Sequence, residues 1–198
     1  MKIIGVTGGV GCGKSQILKY LAENYRCQIV LADDVGFEVE RQGEDCYKRI
    51  VETFGSEILG ADGELDRQKL AAVVFSDVNK TKQINEIIHP AVISRIHEKE
   101  EKARAEGKTD FFFIEAALLI ECGFNSYVDE MWYIYSDTSV RRKRLKEARG
   151  YTDEKIDRIM SLQLSEEEFR LNSNFVVDNS GSLDNTYEQI SNHMKELM

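Results

Sequence analysis

Five short apolar runs, separated by segments with helical periodicity, dominate the hydrophobic pattern of the chain. They cover residues 2–7, 28–33, 111–116, 130–136 and 174–179. The third and fourth runs are almost continuously apolar, which is typical of strands buried on both faces. Strands that alternate with helices predict an α/β fold, in which a five-stranded parallel sheet has helices on both faces.

The interval between the second and third runs, residues 34–110, is far longer than a single crossover requires. It predicts three helices: one ending near Phe54, one from Leu65 to about Phe75, and a long one from Asn79 to about Glu106. We interpret this stretch as a helical lobe inserted into the sheet domain. A further apolar stripe, with steps of four and three residues from 183 to 197, predicts a C-terminal packing helix.

Composition narrows the class of protein. The chain has 198 residues and a formal net charge of −9, which argues against nucleic acid or an anionic membrane as a partner. The longest apolar run is shorter than the ~20 residues of a membrane span. The N-terminus passes straight into a strand, so we expect no secretion signal. Four scattered cysteines favour free thiols and a cytoplasmic protein.

The stretch directly after the first run carries the clearest chemistry. It fulfils the pattern G-x-x-x-x-G-K-[ST] in full and reads Gly8-Gly9-Val10-Gly11-Cys12-Gly13-Lys14-Ser15. Glycines let the backbone curl so that several amides point at one anion, and the following helix adds positive charge at its N-terminus. Lys14 can reach the outer phosphates and the Ser15 hydroxyl can hold Mg²⁺. This context predicts a nucleoside triphosphate site.

Asp33 is the second candidate, because it ends the second strand-like run. Ligands of an open parallel sheet bind beyond the carboxyl ends of its strands. Asp33 is then placed to accept a proton from an attacking hydroxyl or to assist Mg²⁺. The alternative is that Asp33 or Asp34 caps the helix that follows.

A basic cluster, residues 141–149, stands out in so acidic a chain. Most of its side chains are expected to lie on a solvated helix face. Phosphoryl transfer nevertheless spreads negative charge over oxygens that an arginine can stabilise. Arg144 is the first choice for that role.

Two further segments have both a structural and a functional interpretation. His89, next to the only proline of the chain, is either a structural histidine or a contact for a second substrate. The turn 178–182 either joins a strand to a helix or forms a backbone platform for a nucleotide base, because its strand end opens on the same edge of the sheet.

Taken together, these residues resemble the dephospho-CoA kinase family over nearly the whole chain. Besides the loop motif, the matching features are the strand end Ala32-Asp33 and residues 54–59, 62–67, 74–77, 88–90, 118–121, Arg144, Gln163 and 178–181. The family transfers the ATP γ-phosphate to the ribose 3′-hydroxyl of dephospho-CoA, the final step of coenzyme A synthesis. Its fold is a P-loop kinase core with a helical CoA-binding lobe and a mobile lid.

The resemblance implies one kinase domain over 1–198, with a core of 1–33, 109–136 and 172–198, a lobe of 34–108 and a lid of 137–171. It implies ATP and Mg²⁺ as cofactors, dephospho-CoA as substrate, and a monomer or small homo-oligomer. The implied catalytic residues are Lys14, Asp33 and Arg144, with Ser15 on the metal and Asp33, His89 and Leu118 on the substrate. The implied ATP-binding residues are Gly9, Val10, Gly11, Cys12, Gly13, Lys14, Ser15, Gln16, Arg149, Asn179, Ser180 and Gly181.

The chain departs from the family pattern at three places. The family reads Asp-Ala-Asp where this chain has Leu31-Ala32-Asp33, and Pro-Leu-Leu where it has Ala117-Leu118-Leu119. A second lid arginine usually follows the first by four positions, but that position here is Ala148. Either Arg149 takes that role or Arg144 acts alone.

Two other functions are compatible with the loop motif. Another small-molecule P-loop kinase, for nucleosides or sugars, is the first alternative. A GTPase switch is the second, since residues 33–36 match D-x-x-G, but they follow the loop too closely and the segment 79–82 lacks the acid that reads guanine. Cys12 lies beside Lys14 and a helix N-terminus, so we expect its thiol pKa to be lowered and its reactivity raised.

Overall fold

The computed structural model describes residues 1–198 as five strands and nine α-helices. The strands are β1 (Lys2–Thr7), β2 (Cys27–Leu31), β3 (Phe111–Glu115), β4 (Glu130–Tyr135) and β5 (Phe175–Asp178). The helices are α1 (Lys14–Asn24), α2 (Ala32–Val39), α3 (Asp45–Phe54), α4 (Arg67–Val74), α5 (Val78–Glu106), α6 (Thr138–Arg149), α7 (Asp153–Ser161), α8 (Glu166–Leu171) and α9 (Leu183–Leu197). Short 3-10 turns lie at Ser56–Ile58 and Phe124–Ser126.

The strands form one parallel sheet in the order β2-β3-β1-β4-β5. β1 is central, with Val6 opposite Glu115 of β3 and opposite Trp132 of β4. The predicted α/β fold is therefore confirmed, and each of the five apolar runs forms a strand with ends within two residues of those expected. The central position of β1 explains why its residues after Lys2 are all buried.

The core of the sheet lies between one face of the strands and helices α1 and α9. Trp132 is fully buried there and packs edge-on against Phe113 and Phe175. Ile17 and Leu21 of α1, and Ile190 and Met194 of α9, belong to the same apolar cluster. The expected C-terminal stripe is thus a packing face, because Ile190 and Met194 lie one helical turn apart.

The chain divides into two compact units, one of residues 1–29 with 107–198 and one of residues 30–106. In the second unit, the single helix expected before Phe54 is two helices, α2 and α3. The first helix ends at Val39, and the chain between the two helices passes through Gly43 at a φ of 99°, a left-handed conformation that favours glycine. The long expected helix forms as α5 and continues through Pro90.

Ion pairs join α5 to α2 and to the chain before α3. Arg95 contacts Glu38 and Glu44, and the Lys99 ammonium lies 2.9 Å from Glu38. These side chains are only about one third exposed. Because these ion pairs are partly shielded from water, they should hold α5 to its neighbours more firmly than a fully exposed pair would.

No helix in the molecule has both the length and the apolar character needed to cross a membrane.

Gly5 gives a test of the packing on the other face of β1. A Cβ at Gly5 would lie 2.8 Å from Leu119 Cδ2 and 2.9 Å from Met131 Sδ, so Gly5→Ala overpacks the core. We expect a loss of about 1–3 kcal/mol in the free energy of unfolding, measured by urea denaturation.

Gly36→Ala is the matched control. Gly36 is helical and has nothing within 4 Å of an added Cβ. The Gly36→Ala variant should gain roughly 0.5–1 kcal/mol in the free energy of unfolding. Equal stability of the Gly5→Ala variant and the wild type would contradict the packing described here.

Candidate active site

The loop between β1 and α1 has the geometry of an anion cradle. Gly8, Gly11 and Gly13 have φ values of 145°, 80° and 96°, which side-chain-bearing residues rarely adopt. Gly13 is the N-cap of α1, and its carbonyl accepts the amides of Gln16 and Ile17. The amides of Lys14 and Ser15, the first two residues of α1, have no acceptor within the helix and point toward the loop. An anion at this position gains both these donors and the helix dipole.

Lys14 is held at the mouth of this loop. Its ammonium donates to the Gly8 carbonyl at 2.7 Å and lies 3.5 Å from a carboxylate oxygen of Glu115. Glu115 ends β3, and its register with Val6 brings it beside the end of β1. Sequence reasoning missed Glu115, although its place at a strand end was a usable signal.

Cys12 is a structural residue. Its side chain is only 1% exposed and belongs to the apolar cluster of α1, β1 and β4. Burial raises the pKa of the Cys12 thiol, and the opposing effects of Lys14 and Arg141 are smaller. The expectation of a lowered pKa and a reactive thiol is therefore wrong, because desolvation of the thiolate outweighs the neighbouring positive charge.

The carbonyl of Cys12 anchors the loop to the ends of β4 and β5. It accepts the Asn179 amide at 2.8 Å and the hydroxyl of Ser136 at 3.1 Å. Asn179 is itself 1% exposed, and its side-chain oxygen accepts the Thr186 hydroxyl. Asn179 is predicted to bind ATP, and in the structure its side chain hydrogen-bonds the loop at the Cys12 carbonyl.

Helix α6 brings two arginines to the loop. Arg144 donates to the carbonyls of Cys12 and Asn179 at 3.3 and 2.9 Å. Arg141 donates from Nε to the Val10 carbonyl at 2.9 Å. Arg149 is exposed at the end of the same helix, with its guanidinium 5.9 Å from the Tyr151 ring. In this conformation the second arginine at the loop is therefore Arg141, which sequence reasoning left among the solvated residues.

Two further members of the basic cluster are paired with acids of α7. Arg142 pairs with Asp153 and Asp157, and Lys146 lies 2.8 Å from Asp153. The hydrogen bond from Lys146 is the main cause of the lowered pKa of Asp153. These pairs account for Arg142 and Lys146 without a catalytic role.

Gln163 completes the contacts of the loop with the segment after α6. Its side-chain oxygen accepts the Val10 amide at 3.1 Å and a terminal nitrogen of Arg141 at 2.8 Å. Sequence reasoning noted Gln163 only through the family resemblance and gave it no role.

Asp33 lies in the second unit, within the first turn of α2. The N-cap of α2 is Leu31, and no side chain caps the helix. The alternative that Asp33 or Asp34 caps this helix is therefore wrong, and the Asp33 carboxylate is exposed. Its structural contribution is limited to the favourable charge of an acid near a helix N-terminus.

His89 lies midway along α5, in the second unit. With Thr81, Lys82, Asn85 and Glu86 it lines an open depression of about 520 Å³.

The remaining predicted site residues of the first unit differ in exposure and in their hydrogen-bond partners. Leu118 is 50% exposed after β3, whereas its neighbour Leu119 is buried. Ser15 is exposed, and Gln16 donates to the Tyr187 hydroxyl at 2.8 Å. Ser180 follows Asn179 and its hydroxyl accepts the amide of Asp137.

The chain has no cluster of three or more histidine, cysteine or acidic side chains that could enclose a metal ion. A Mg²⁺ ion bound with a nucleotide needs no such cluster, because phosphates and water supply most of its oxygen ligands. The exposed Ser15 hydroxyl and the Glu115 carboxylate are oxygen donors of the type that Mg²⁺ takes. The residues present therefore fit a nucleotide-bound Mg²⁺.

Comparison with known proteins assigns this loop and sheet to one family. The family model for dephospho-CoA kinase (CoaE) matches residues 2–185. A dephospho-CoA kinase of Carboxydothermus hydrogenoformans is 36% identical over 191 residues, which are 96% of this chain and 91% of the relative.

Solved structures give the same picture. TT1252 from Thermus thermophilus is 27% identical, with a TM-score of 0.81, over 100% of this chain and 98% of its own. A dephospho-CoA kinase from Campylobacter jejuni is 21% identical, with a TM-score of 0.72, over 98% of this chain and 96% of its own, and shares the fold.

The buried Cys12 thiol should resist alkylation. We expect iodoacetamide to modify Cys12 at least about tenfold more slowly than the half-buried Cys122, because the thiolate must form and be reached. Peptide mapping by mass spectrometry after timed labelling measures both rates. Cys12→Ser is the control, and its Cys122 should be labelled at the wild-type rate. Labelling of Cys12 as fast as Cys122 would contradict the burial described here.

Proposed function

The chain belongs to the dephospho-CoA kinase family, and we propose on that basis that it transfers the γ-phosphoryl group of ATP to the ribose 3′-hydroxyl of dephospho-CoA. The observation that carries the proposal is the phosphate loop of Gly8–Ser15, formed within a chain that matches the family over residues 2–185. The product is coenzyme A.

The phosphate loop would hold the β- and γ-phosphates through amides of residues 9–15, although the Val10 amide donates to Gln163 in this conformation. The Lys14 ammonium would also contact these phosphates. It now donates to the Gly8 carbonyl at 2.7 Å and lies 3.5 Å from the Glu115 carboxylate. Exchange of the Gly8 carbonyl for a phosphate oxygen replaces a neutral acceptor of the Lys14 ammonium by a charged one, which makes a stronger hydrogen bond. Ser15 would hold the Mg²⁺ that neutralises charge on the phosphates, and Glu115 would face its water ligands.

Asp33 would accept the proton of the 3′-hydroxyl as that oxygen attacks the γ-phosphorus. Two features support this role: the carboxylate is exposed, and it follows directly on a strand of the parallel sheet. A hydroxyl must lose its proton as the new P–O bond forms, so a carboxylate in hydrogen-bond reach lowers the barrier. His89 and Leu118 would contact the nucleotide substrate.

The remaining parts of the proposal concern the adenine end and the organisation of the chain. Gln16, Ser180 and Gly181 would border the adenosine of ATP, with Asn179 supporting the loop beneath it. Residues 34–108 would form the CoA-binding lobe and 137–171 the lid of one kinase domain. We propose a cytoplasmic enzyme that acts on small molecules, as a monomer or small homo-oligomer, and not on nucleic acid or membranes.

The test of the function is phosphate transfer to candidate acceptors. Purified protein with Mg-ATP should form coenzyme A from dephospho-CoA, measured by chromatography with mass detection. Transfer to nucleosides or sugars at a higher kcat/KM would favour the alternative kinase. GTP hydrolysis without an acceptor would favour a switch protein.

Asp33→Asn tests the proposed base. The amide cannot accept the proton, so kcat should fall by at least ~10²-fold, while KM for both substrates changes little. Stability should fall by no more than about 1 kcal/mol, since only a helix-dipole contribution is lost.

Asp34→Asn is the matched control, because Asp34 lies in the same helical turn. Its kcat should stay near the wild-type value. A kcat within a few-fold of wild type for Asp33→Asn would place the base elsewhere.

Arg144 and Arg149 can be ranked by substitution. Arg144 lies at the loop and Arg149 does not, so Arg144→Ala should lower kcat by about 10²-fold or more, and Arg149→Ala by less than about threefold. Steady-state kinetics measure both effects, with thermal unfolding as a check on folding. A larger loss for Arg149→Ala would show that α6 must rearrange before transfer.

A further inference from the structure

We propose that Arg141 is a second phosphate-contacting arginine of this enzyme and that Gln163 is the residue that positions it. The inference rests on the proposed kinase function and deepens it. Neither residue belongs to the loop motif, and Arg141 lies one helical turn before Arg144 on α6.

The position of the Arg141 guanidinium is the first observation. A Cβ built on Gly9 would lie 2.3 Å from its Nη2 and 2.6 Å from its Cζ, so the guanidinium packs directly on the loop backbone. Gly9 and Val10 belong to the part of the loop proposed to face the phosphates. A phosphate held by the neighbouring amides is therefore within reach of the guanidinium after at most a small side-chain movement.

The partners of Arg141 are the second observation. Its Nε donates to the Val10 carbonyl and its Nη2 to the Gln163 oxygen. Both acceptors are uncharged, and so no carboxylate offsets the charge of the guanidinium. Arg142, by contrast, is paired with two carboxylates of α7.

Gln163 is oriented by these contacts. The Val10 amide and the Arg141 guanidinium are both donors, so only the side-chain oxygen of Gln163 can face them. One oxygen thereby links the loop backbone to the guanidinium. An arginine side chain has four torsions, and ordering them on phosphate binding costs entropy. The contact with Gln163 orders the Arg141 side chain beforehand, so less entropy is lost when phosphate binds.

A simple structural role for Gln163 makes a different prediction. If the carboxamide only joined the segment after α7 to the loop, its loss would lower stability and would act independently of Arg141. If it positions Arg141, its loss should lower kcat, leave stability almost unchanged, and have little further effect once Arg141 is gone.

The experiment is a double-mutant cycle with Arg141→Met and Gln163→Met. Methionine keeps the length of either side chain and removes its hydrogen bonds. Arg141→Met should lower kcat with dephospho-CoA and Mg-ATP by about 10²-fold, and Gln163→Met by about tenfold. The double variant should match Arg141→Met within about twofold, and the thermal midpoint of Gln163→Met should stay near that of the wild type.

Two further variants sharpen the cycle. Gln163→Glu keeps an oxygen for both donors and adds a negative charge beside the phosphates, so kcat should recover in part while KM for ATP rises. Leu162→Ala is the control for disturbance of this segment, because its side chain is 78% exposed and precedes Gln163. It should have wild-type kinetics.

The outcomes separate the inference from the proposed function. If the wild type makes no coenzyme A, the function itself fails. If the wild type is active and Arg141→Met keeps near-wild-type kcat, the role of Arg141 is refuted. If the losses in the double variant multiply, or Gln163→Met acts through a lowered thermal midpoint, Gln163 does not position Arg141.

Discussion

A phosphate loop can present its amides to an anion only if its carbonyl groups turn outward and find donors elsewhere. Most of the candidate active site consists of those donors. They are Lys14 for Gly8, Arg141 for Val10, and Ser136, Arg144 and Asn179 for Cys12. Because a buried carbonyl without a partner costs about 1–3 kcal/mol, the shape of the loop depends on β4, β5 and α6 as much as on its glycines.

The parts of the molecule that the sequence predicted are those fixed by neighbouring residues. The loop motif lies within eight consecutive positions, and its strand and helix follow from local hydrophobic pattern. The five strands were visible as short apolar runs, of which β3 and β4 are the most continuous and are largely buried. The split between α2 and α3 was missed, because the residues around Gly43 are polar and give no hydrophobic pattern that marks the end of one helix and the start of the next.

The parts that were missed depend on contacts distant along the chain. Gln163 meets Val10 across 153 residues, and no periodicity in the sequence connects them. Arg141 was partly predictable, because it shares a helix face with Arg144 and the buried Leu145. For Cys12, the neighbouring positive charges were visible in the motif, but burial was not, and burial determines the direction of its pKa shift.

The same contacts explain how a strongly acidic chain can attract anionic substrates. At a net charge of −9, most of the surface repels ATP and dephospho-CoA alike. Carbonyl and carboxamide acceptors fix Arg141 and Arg144 without neutralising them, whereas Arg142 and Lys146 are paired with acids. The charges of Arg141 and Arg144 thus act at the loop, and salt limits their reach to about 8 Å at physiological ionic strength. The arginines that support the loop carbonyls are therefore also the charges that make the loop the favoured place for a phosphate.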